Sequence, residues 1–220
     1  MGKYIVFDGM DGSGKGTQLR LLEKDFSHAA VFTREPGGTP LAEDIRKIVR
    51  DSPLAGKSTA LSNFLLFWAA REELQQNFVI PMLRSGENVL SDRGDSSTFA
   101  YQICGEEHEE LIDLFVSMRK LVFDEDAGRR APDLYIIFDL PSEVARARVM
   151  QDSCREKTHF DARDIGYYER VRNGFRRFSE RHPVIFIDAM QTPEEMHRSL
   201  VKILATEMLE TNLPLQFDLA

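Results

Sequence analysis

Four glycines and one lysine crowd the nine residues GMDGSGKGT, Gly9 to Thr17, directly after the apolar run YIVF. Gly9, Gly14 and Lys15 stand at Walker A spacing, with Met10, Asp11, Gly12 and Ser13 between them. The hydroxyl comes one residue late, because Gly16 occupies the usual Ser/Thr place and Thr17 follows. Consecutive glycines let a loop curl until several backbone N–H groups converge on phosphate oxygens, at the positive end of the helix that starts there. A Cβ would block that approach or forbid the positive φ angles of the curl. Lys15 adds a mobile cation for the β- and γ-phosphates, so the expected ligand is a nucleoside triphosphate with Mg²⁺, to which Thr17 offers its hydroxyl.

Three further stretches carry chemistry. In SDRGDSSTFAYQ, Ser91 to Gln102, Asp92 falls at a strand end, where an acid can hold Mg²⁺ through water, and Arg93 can pair with a second phosphate. If the chain continues as helix, Ser97 and Tyr101 make one i,i+4 step and Thr98 and Gln102 another, giving polar rows suited to a planar base. The alternative is a solvated helix start capped by Asp95 or Ser96. In NFLLFWAAREE, Phe67 and Arg71 are neighbours on one helix face, a ring beside a donor fork, while Leu61, Leu65 and Trp68 form a stripe that can enter the core. Phe67 could equally be core and Arg71 a surface ion-pair partner. In TREPGGTPLAEDIRK, Arg34, Gly37 and Gly38 could shape an oxyanion turn and Arg46 could face back across the site, or the arginines could lie on the surface.

These stretches need a scaffold, and the sequence describes one. Short strands rich in β-branched and aromatic residues are expected at Tyr4 to Phe7, Ala30 to Thr33, Asn88 to Ser91, Leu134 to Phe138 and Val184 to Ile187. Helices are expected at Gly16 to Lys24, Leu41 to Arg50, Thr59 to Ile80, Glu106 to Phe123, Ser142 to Met150, Ile165 to Arg181 and Pro193 to Leu209. The last has Thr192 as N-cap, Pro193 at the first helical position and Glu195 completing a capping box. Alternation of strand and helix predicts an α/β fold with a parallel sheet covered on both faces and ligands at the carboxyl ends of the strands. The polar, basic segment 151–164 reads as a mobile lid rather than a linker, so residues 1–220 are expected to form one domain.

With 42% hydrophobic residues the 220-residue chain can bury a proper core. Its 36 acidic and 28 basic residues leave a net charge of −8, which argues against broad nucleic-acid binding and makes any anion site local. Cys104 and Cys154 match no metal spacing and read as reduced thiols. With no signal-peptide pattern, and with FLLFWAA too short to span a bilayer, a cytoplasmic location without membrane contact is expected.

Taken in order, FDGMDGSGKGT, TREPGGTPLAEDIR, LLFWAARE, SDRGDSSTFAYQ, PDLYIIFDL and VIFIDA resemble the thymidylate kinases, P-loop nucleoside monophosphate kinases that pass phosphate from ATP to dTMP. The resemblance implies a P-loop NTPase-type three-layer sandwich, a five-stranded parallel sheet between helices. It also implies that Asp11 meets the sugar 3′-hydroxyl and that Arg93, with Arg34, holds the acceptor phosphate. Phe67 would stack on thymine, while Arg71, Thr98 and Gln102 contact its polar edge beside Ser97 and Arg46 closes the pocket. Tyr101 would crowd the 2′ position, Asp8 and Asp92 would serve Mg²⁺ or its waters, and on the helix before the lid Arg146 or Arg148 could stack on adenine, Arg148 being the one assigned to ATP. Lys15, Arg93 and Asp92 would act in catalysis together with an arginine from the lid. Similar lids carry that arginine where this chain has His159, so Arg155, Lys157 or Arg163 must substitute, Arg155 first. The family further implies a homodimer packed through helices such as Thr59 to Ile80 and Glu106 to Phe123. Another nucleoside monophosphate kinase, or a P-loop protein that binds ATP without turnover, remain the competing readings.

Overall fold

A computed structural model of the chain describes residues 2–124, 128–152 and 163–209. Five strands form one parallel sheet in the order β2-β3-β1-β4-β5: β1 (Tyr4–Gly9), β2 (Ala30–Arg34), β3 (Asn88–Asp92), β4 (Leu134–Asp139) and β5 (Val184–Asp188). All five lie where the β-branched runs predict, each one or two residues longer. Central β1 is buried along its whole length, which requires cover on both faces. Helix α1 (Lys15–Phe26) packs against α9 (Pro193–Leu209), and α8 (Ile165–Ser179) packs against the chain that follows β3. The capping box forms as expected: Thr192 N donates to Glu195 Oε2 at 3.0 Å and Glu195 N to Thr192 Oγ1 at 3.3 Å.

The register sets the site. Phe7 and Arg34 both pair with Asp92, so β1, β2 and β3 end at one level and their following loops meet. Glu35 N donates to Asp92 O at 2.8 Å and Arg93 N to Phe7 O at 2.8 Å, tying those loops together.

The helices depart from a plain 3.6-residue repeat. Helix α2 (Pro40–Arg46) continues as π turns over Lys47–Asp51, and α3 (Ala60–Leu74) passes through π turns at Gln75–Val79 into α4 (Ile80–Arg84). The expected stop at Ile80 is therefore wrong, because the wider turns just upstream make room for Pro81, which lacks an N–H and would crowd a regular helix. After β3 the short α5 (Asp95–Ser97) runs into π turns over Thr98–Gly105, and only then does α6 (Ile112–Val122) begin, six residues after the expected Glu106. Helix α7 (Ser142–Gln151) matches expectation.

The core stripe of α3 is also rotated from the expected one. Phe64 and Trp68 are fully buried, but Leu61 and Leu65 remain 47% and 44% exposed. A second face of α3, Ala70 with Leu66 and Phe67, packs on Ala42, Ile45 and Val49. The helix is apolar on three sides, and the sequence repeat alone could not say which two the fold would cover.

Candidate active site

The loop after β1 adopts the curl the glycines allow. Gly9 has φ +140° and Gly12 φ +82°, and a Cβ on Gly12 would lie 2.5 Å from the carbonyl oxygen of Ala145 on α7. Gly14, also left-handed, caps α1; Thr17 N and Gln18 N return to its carbonyl, and the amides before them point out of the helix start, ready for an anion. Lys15 lies at the loop end, nearly buried, and donates to Asp92 at the end of the neighbouring strand β3. Burial raises the Asp92 carboxyl, but the Lys15 and Arg93 cations outweigh it and hold the group below its usual range. Arg148 Nη1 donates to Gly12 O at 3.3 Å and Ala189 O at 3.1 Å, which puts its guanidinium against the outer side of the P-loop. Thr17 is exposed at the helix start, and Ser13 Oγ is buried without a partner.

Beside the P-loop opens a cleft of about 260 Å³. Nine of the residues singled out in the sequence line it: Asp11, Lys15, Arg46, Phe67, Asp92, Arg93, Ser97, Tyr101 and Gln102. One wall is thus an aromatic ring from α3, another a row from the π turns after β3, and the end near the P-loop is cationic. Arg93 has the unusual φ of +72° and is fixed on several sides. Its Nη1 donates to Asp8 Oδ1 at 3.1 Å and Ser97 Oγ at 3.0 Å, its Nη2 to Asp11 Oδ1 at 2.6 Å, and its guanidinium carbon sits 5.3 Å from the Tyr101 ring centre. Burial lowers the Arg93 pKa, but Tyr101, Asp11, Asp8 and Asp92 raise it further, so it stays charged. Tyr101 Oη accepts from Asp11 N at 3.2 Å and donates to Gly9 O at 3.3 Å, locking the π segment to the P-loop.

Several expected roles sit differently. Asp8, expected to serve Mg²⁺, is fully buried; its Oδ1 accepts from Gly9 N, Ser97 Oγ and Arg93 Nη1, and its Oδ2 from Ser96 Oγ at 2.6 Å. It anchors Arg93 instead. Arg34 does not line the cleft; its side chain is 54% exposed and donates to Glu43 at 3.0 Å. Arg71 is neither on the surface nor open to the cleft. It is buried, donating from Nε to Glu35 Oε2 at 2.7 Å and from Nη2 to Thr98 Oγ1 at 3.0 Å, and neither Arg71 nor the equally buried Thr98 is among the cleft-lining residues. Asp95 and Ser96 do not cap the helix: Asp95 accepts from Tyr135 Oη and Arg119 Nε, and Ser96 donates to Asp8. Of the lid candidates, Arg155, Lys157 and His159 lie outside the described residues, as does Cys154. Arg163 pairs with Glu106 at 2.7 Å and is not among the cleft residues.

The structure adds Glu35, Pro36, Val49 and Arg50 to the cleft. Arg50 was within reach of sequence reasoning, since it is four residues beyond Arg46 on the same helix. Glu35 was not, because its partner stands 36 residues away. Burial, opposed by Arg71 and reinforced by Asp95 and Asp8, pushes the Glu35 carboxyl up to about 7.

This arrangement, a phosphate loop next to an aromatic and arginine-lined cleft, can be compared with known proteins. The family model described as thymidylate kinase matches residues 7–200. The chain belongs to the thymidylate kinase family. It is 36% identical over 209 residues to a thymidylate kinase of Cupriavidus metallidurans, covering 93% of this chain and 98% of the relative. It is also 36% identical over 217 residues to a thymidylate kinase of Pelotomaculum thermopropionicum, covering 96% of each. Among solved structures it is similar to a thymidylate kinase from Ehrlichia chaffeensis, with a TM-score of 0.71, 30% identity and coverage of 92% of this chain and 98% of that one. Family membership makes the chain an ATP-dependent phosphotransferase that converts dTMP to dTDP in dTTP synthesis, in preference to another monophosphate kinase or a non-catalytic ATP binder.

Proposed function

We propose that the cleft lined by Phe67, Tyr101 and Arg93 is the dTMP site and that the neighbouring P-loop holds ATP, so that the two nucleotides meet end to end at Lys15. The observation that carries this reading is that Lys15, Arg93 and Phe67, from three separate segments, share one cleft. Phe67 stacks on the base, with Gln102 within reach of its edge. Asp11 accepts from the sugar 3′-hydroxyl, and Tyr101 crowds the 2′ position. Arg93, with Arg46 at the other rim, holds the acceptor phosphate, and the P-loop amides with Lys15 hold the donor phosphates. Arg148 faces the adenine end.

Transfer then needs no protein nucleophile. An oxygen of the dTMP 5′-phosphate bonds to the γ-phosphorus as the bond to the β,γ-bridging oxygen breaks, and that oxygen leaves with ADP. Positioned cations lower the barrier by matching charge spread over the transferring group. Asp92 and Thr17 are suited to hold Mg²⁺ largely through water and phosphate oxygens. Bound there, Mg²⁺ would supply charge neutralisation to the donor phosphates. A lid around 151–164, with Arg155 as its first candidate, would complete the cationic shell and exclude water.

The functional unit we propose is one domain over 1–220, working as a homodimer in the cytoplasm. Support for the dimer comes from the third apolar face of α3, where Leu61 and Leu65 are exposed, and from exposed Val116 and Leu121 on the adjacent α6. No described helix is long and apolar enough to cross a membrane.

A paired substitution tests the site. Phe67→Ala should raise KM for dTMP by roughly 5- to 100-fold, the range of a lost aromatic stack, with KM for ATP unchanged. Lys15→Met should lower kcat by about 10²- to 10³-fold while dTMP still binds in calorimetry. A Phe67→Ala enzyme with normal dTMP kinetics would overturn the assignment.

A further inference from the structure

Lys15, Arg93, Arg34 and Arg71 each rest on a carboxylate within hydrogen-bond reach: Asp92, the Asp8 and Asp11 pair, Glu43 and Glu35 respectively. Two arginines that line the cleft break this pattern. Arg46 Nη1 donates to a neutral acceptor, Pro36 O, at 2.8 Å. Beside Arg50 stands the carboxylate of its chain neighbour Asp51, at 3.7 Å, too far for a hydrogen bond and 58% exposed, where such a pair contributes little.

Both guanidiniums belong to one helical run. Arg46 ends α2, and the π turns over Lys47–Asp51, closed by Ser52 N donating to Lys47 O at 3.0 Å, carry Arg50. Val49 fastens those turns to the cleft wall, packing with Ala70 and Phe67, and leaves Arg50 half-buried at the cleft. The like charges act on one another: burial, then the Arg50 and Arg34 cations, lower the Arg46 pKa against the pull of Glu43 and Asp92. Cations gathered in one cleft without a close carboxylate are stabilised by an anion that enters.

Resting on the reading of this cleft as the dTMP site, we propose that Arg50 is a further contact residue for the acceptor 5′-phosphate, closing on it from the α2 side beside Arg46 while Arg93 grips it from the P-loop side. Thymine and deoxyribose are neutral, and dTMP carries its formal charge on that one group, so the unpaired guanidiniums find their counter-charge there. Arg50 suits the task. Its planar fork can take two phosphate oxygens, and among the described residues no carboxylate within hydrogen-bond reach has to be given up first. Arg50 thereby favours the 5′-monophosphate over the bare nucleoside and leaves the donor site alone.

The test uses the full-length enzyme with Arg50→Gln and Arg50→Lys, assayed by ADP release with dTMP varied, with ATP varied separately, and with thymidine, which lacks the phosphate, as a competitor of dTMP. For Arg50→Gln the expected result is a rise of roughly tenfold in KM for dTMP, with the inhibition constant for thymidine and KM for ATP each within about twofold of wild type. Arg50→Lys keeps the charge and should regain part of the loss. Raising salt from about 50 to about 200 mM should raise KM for dTMP more in the wild type than in the Gln variant, which has one cation fewer to screen. An unchanged KM for dTMP, an equal loss of thymidine, or a parallel rise in KM for ATP would each overturn the proposal. Phe67→Ala, run alongside, separates this from the reading it rests on. If Phe67→Ala weakens dTMP and thymidine while Arg50→Gln changes neither, the cleft holds the acceptor and Arg50 does not touch its phosphate; if Phe67→Ala weakens neither, the cleft reading fails and the proposal with it.

Discussion

Asp8→Asn separates an anchor from a metal ligand. The carboxylate has no exposed surface, and four donors converge on it: Gly9 N at 2.9 Å, Ser97 Oγ at 2.8 Å and Arg93 Nη1 at 3.1 Å on one oxygen, Ser96 Oγ at 2.6 Å on the other. An asparagine can keep its oxygen on the three-donor side, while its amide meets Ser96, whose hydroxyl can turn to accept. Shape and bond count survive; the charge does not. Hydrogen bonds to charged groups contribute about 1.5–3 kcal/mol and neutral ones about 0.5–1.5, so the loss at Arg93 is of order 1 kcal/mol. Arg93 still has Asp11 at 2.6 Å, which bounds the damage. At roughly 1.4 kcal/mol per factor of ten, KM for dTMP should rise about 5- to 10-fold. The assay is coupled ADP release at saturating ATP with dTMP varied, repeated across a Mg²⁺ series. Half-saturation by Mg²⁺ should stay within about twofold, because the substituted oxygens face Arg93 and the serines. A displaced Mg²⁺ requirement with unchanged KM for dTMP would refute the anchor and restore Asp8 as a ligand.

Two further outcomes follow from burial. Leu65→Glu puts a charge on the open face of α3, where Leu65 is 44% exposed, and should shift the protein from dimer to monomer in sedimentation equilibrium without unfolding it. Burial against Phe178, aided by the Arg119 charge, lowers the His182 pKa from 6.5 to about 4. The unfolded chain therefore binds a proton more readily than the native one between those values, so stability is full above about pH 6.5 and declines as pH falls toward 4. His182→Gln should flatten that part of a denaturant-unfolding profile; an identical slope in the two proteins would show that other groups set it.

The parts legible in the sequence were those fixed by local chemistry. Gly9, Gly12 and Gly14 announced a loop that only positive φ can make, and the β-branched runs announced five parallel strands, although the edge strands β2 and β5 are only partly buried. Helical spacing set Phe67 beside Arg71 and Tyr101 beside Ser97 but left open whether Phe67 was core; the family resemblance is what pointed both toward a nucleotide. What stayed hidden depends on partners far along the chain. Nothing near Glu35 indicates Arg71, and nothing near Asp8 indicates that Ser96 and Ser97 fold back onto it across 88 and 89 residues. The π turns at Lys47–Asp51, Gln75–Val79 and Thr98–Gly105 were illegible for another reason: hydrophobic spacing describes which faces are buried, and one extra residue per turn changes it too little to see. Two of these segments nevertheless line the cleft, supplying Val49, Arg50, Tyr101 and Gln102.

A chain with net charge −8 that handles two polyanions must hide its cations until they are needed, and the pairings show how. Lys15 rests on Asp92, Arg93 on Asp8 and Asp11, and Arg71 on Glu35. A buried cation with no counter-charge would be strongly destabilising, so the carboxylates keep the empty cleft folded. They differ in what they permit next. Arg71 is buried beside the cleft and stays paired, whereas Arg93 lines the cleft and is gripped by Asp8, Asp11 and Ser97, so its direction is set before a ligand arrives. Lys15 has one partner and a flexible stem, so a donor phosphate can take it from Asp92 without moving the loop. That single exchange would release the Asp92 carboxylate at the strand end, where the waters of a nucleotide-borne cation can reach it. Every cation that must wait in a low-dielectric site needs an anion to wait on, and here Asp92, Asp8, Asp11 and Glu35 fill that place.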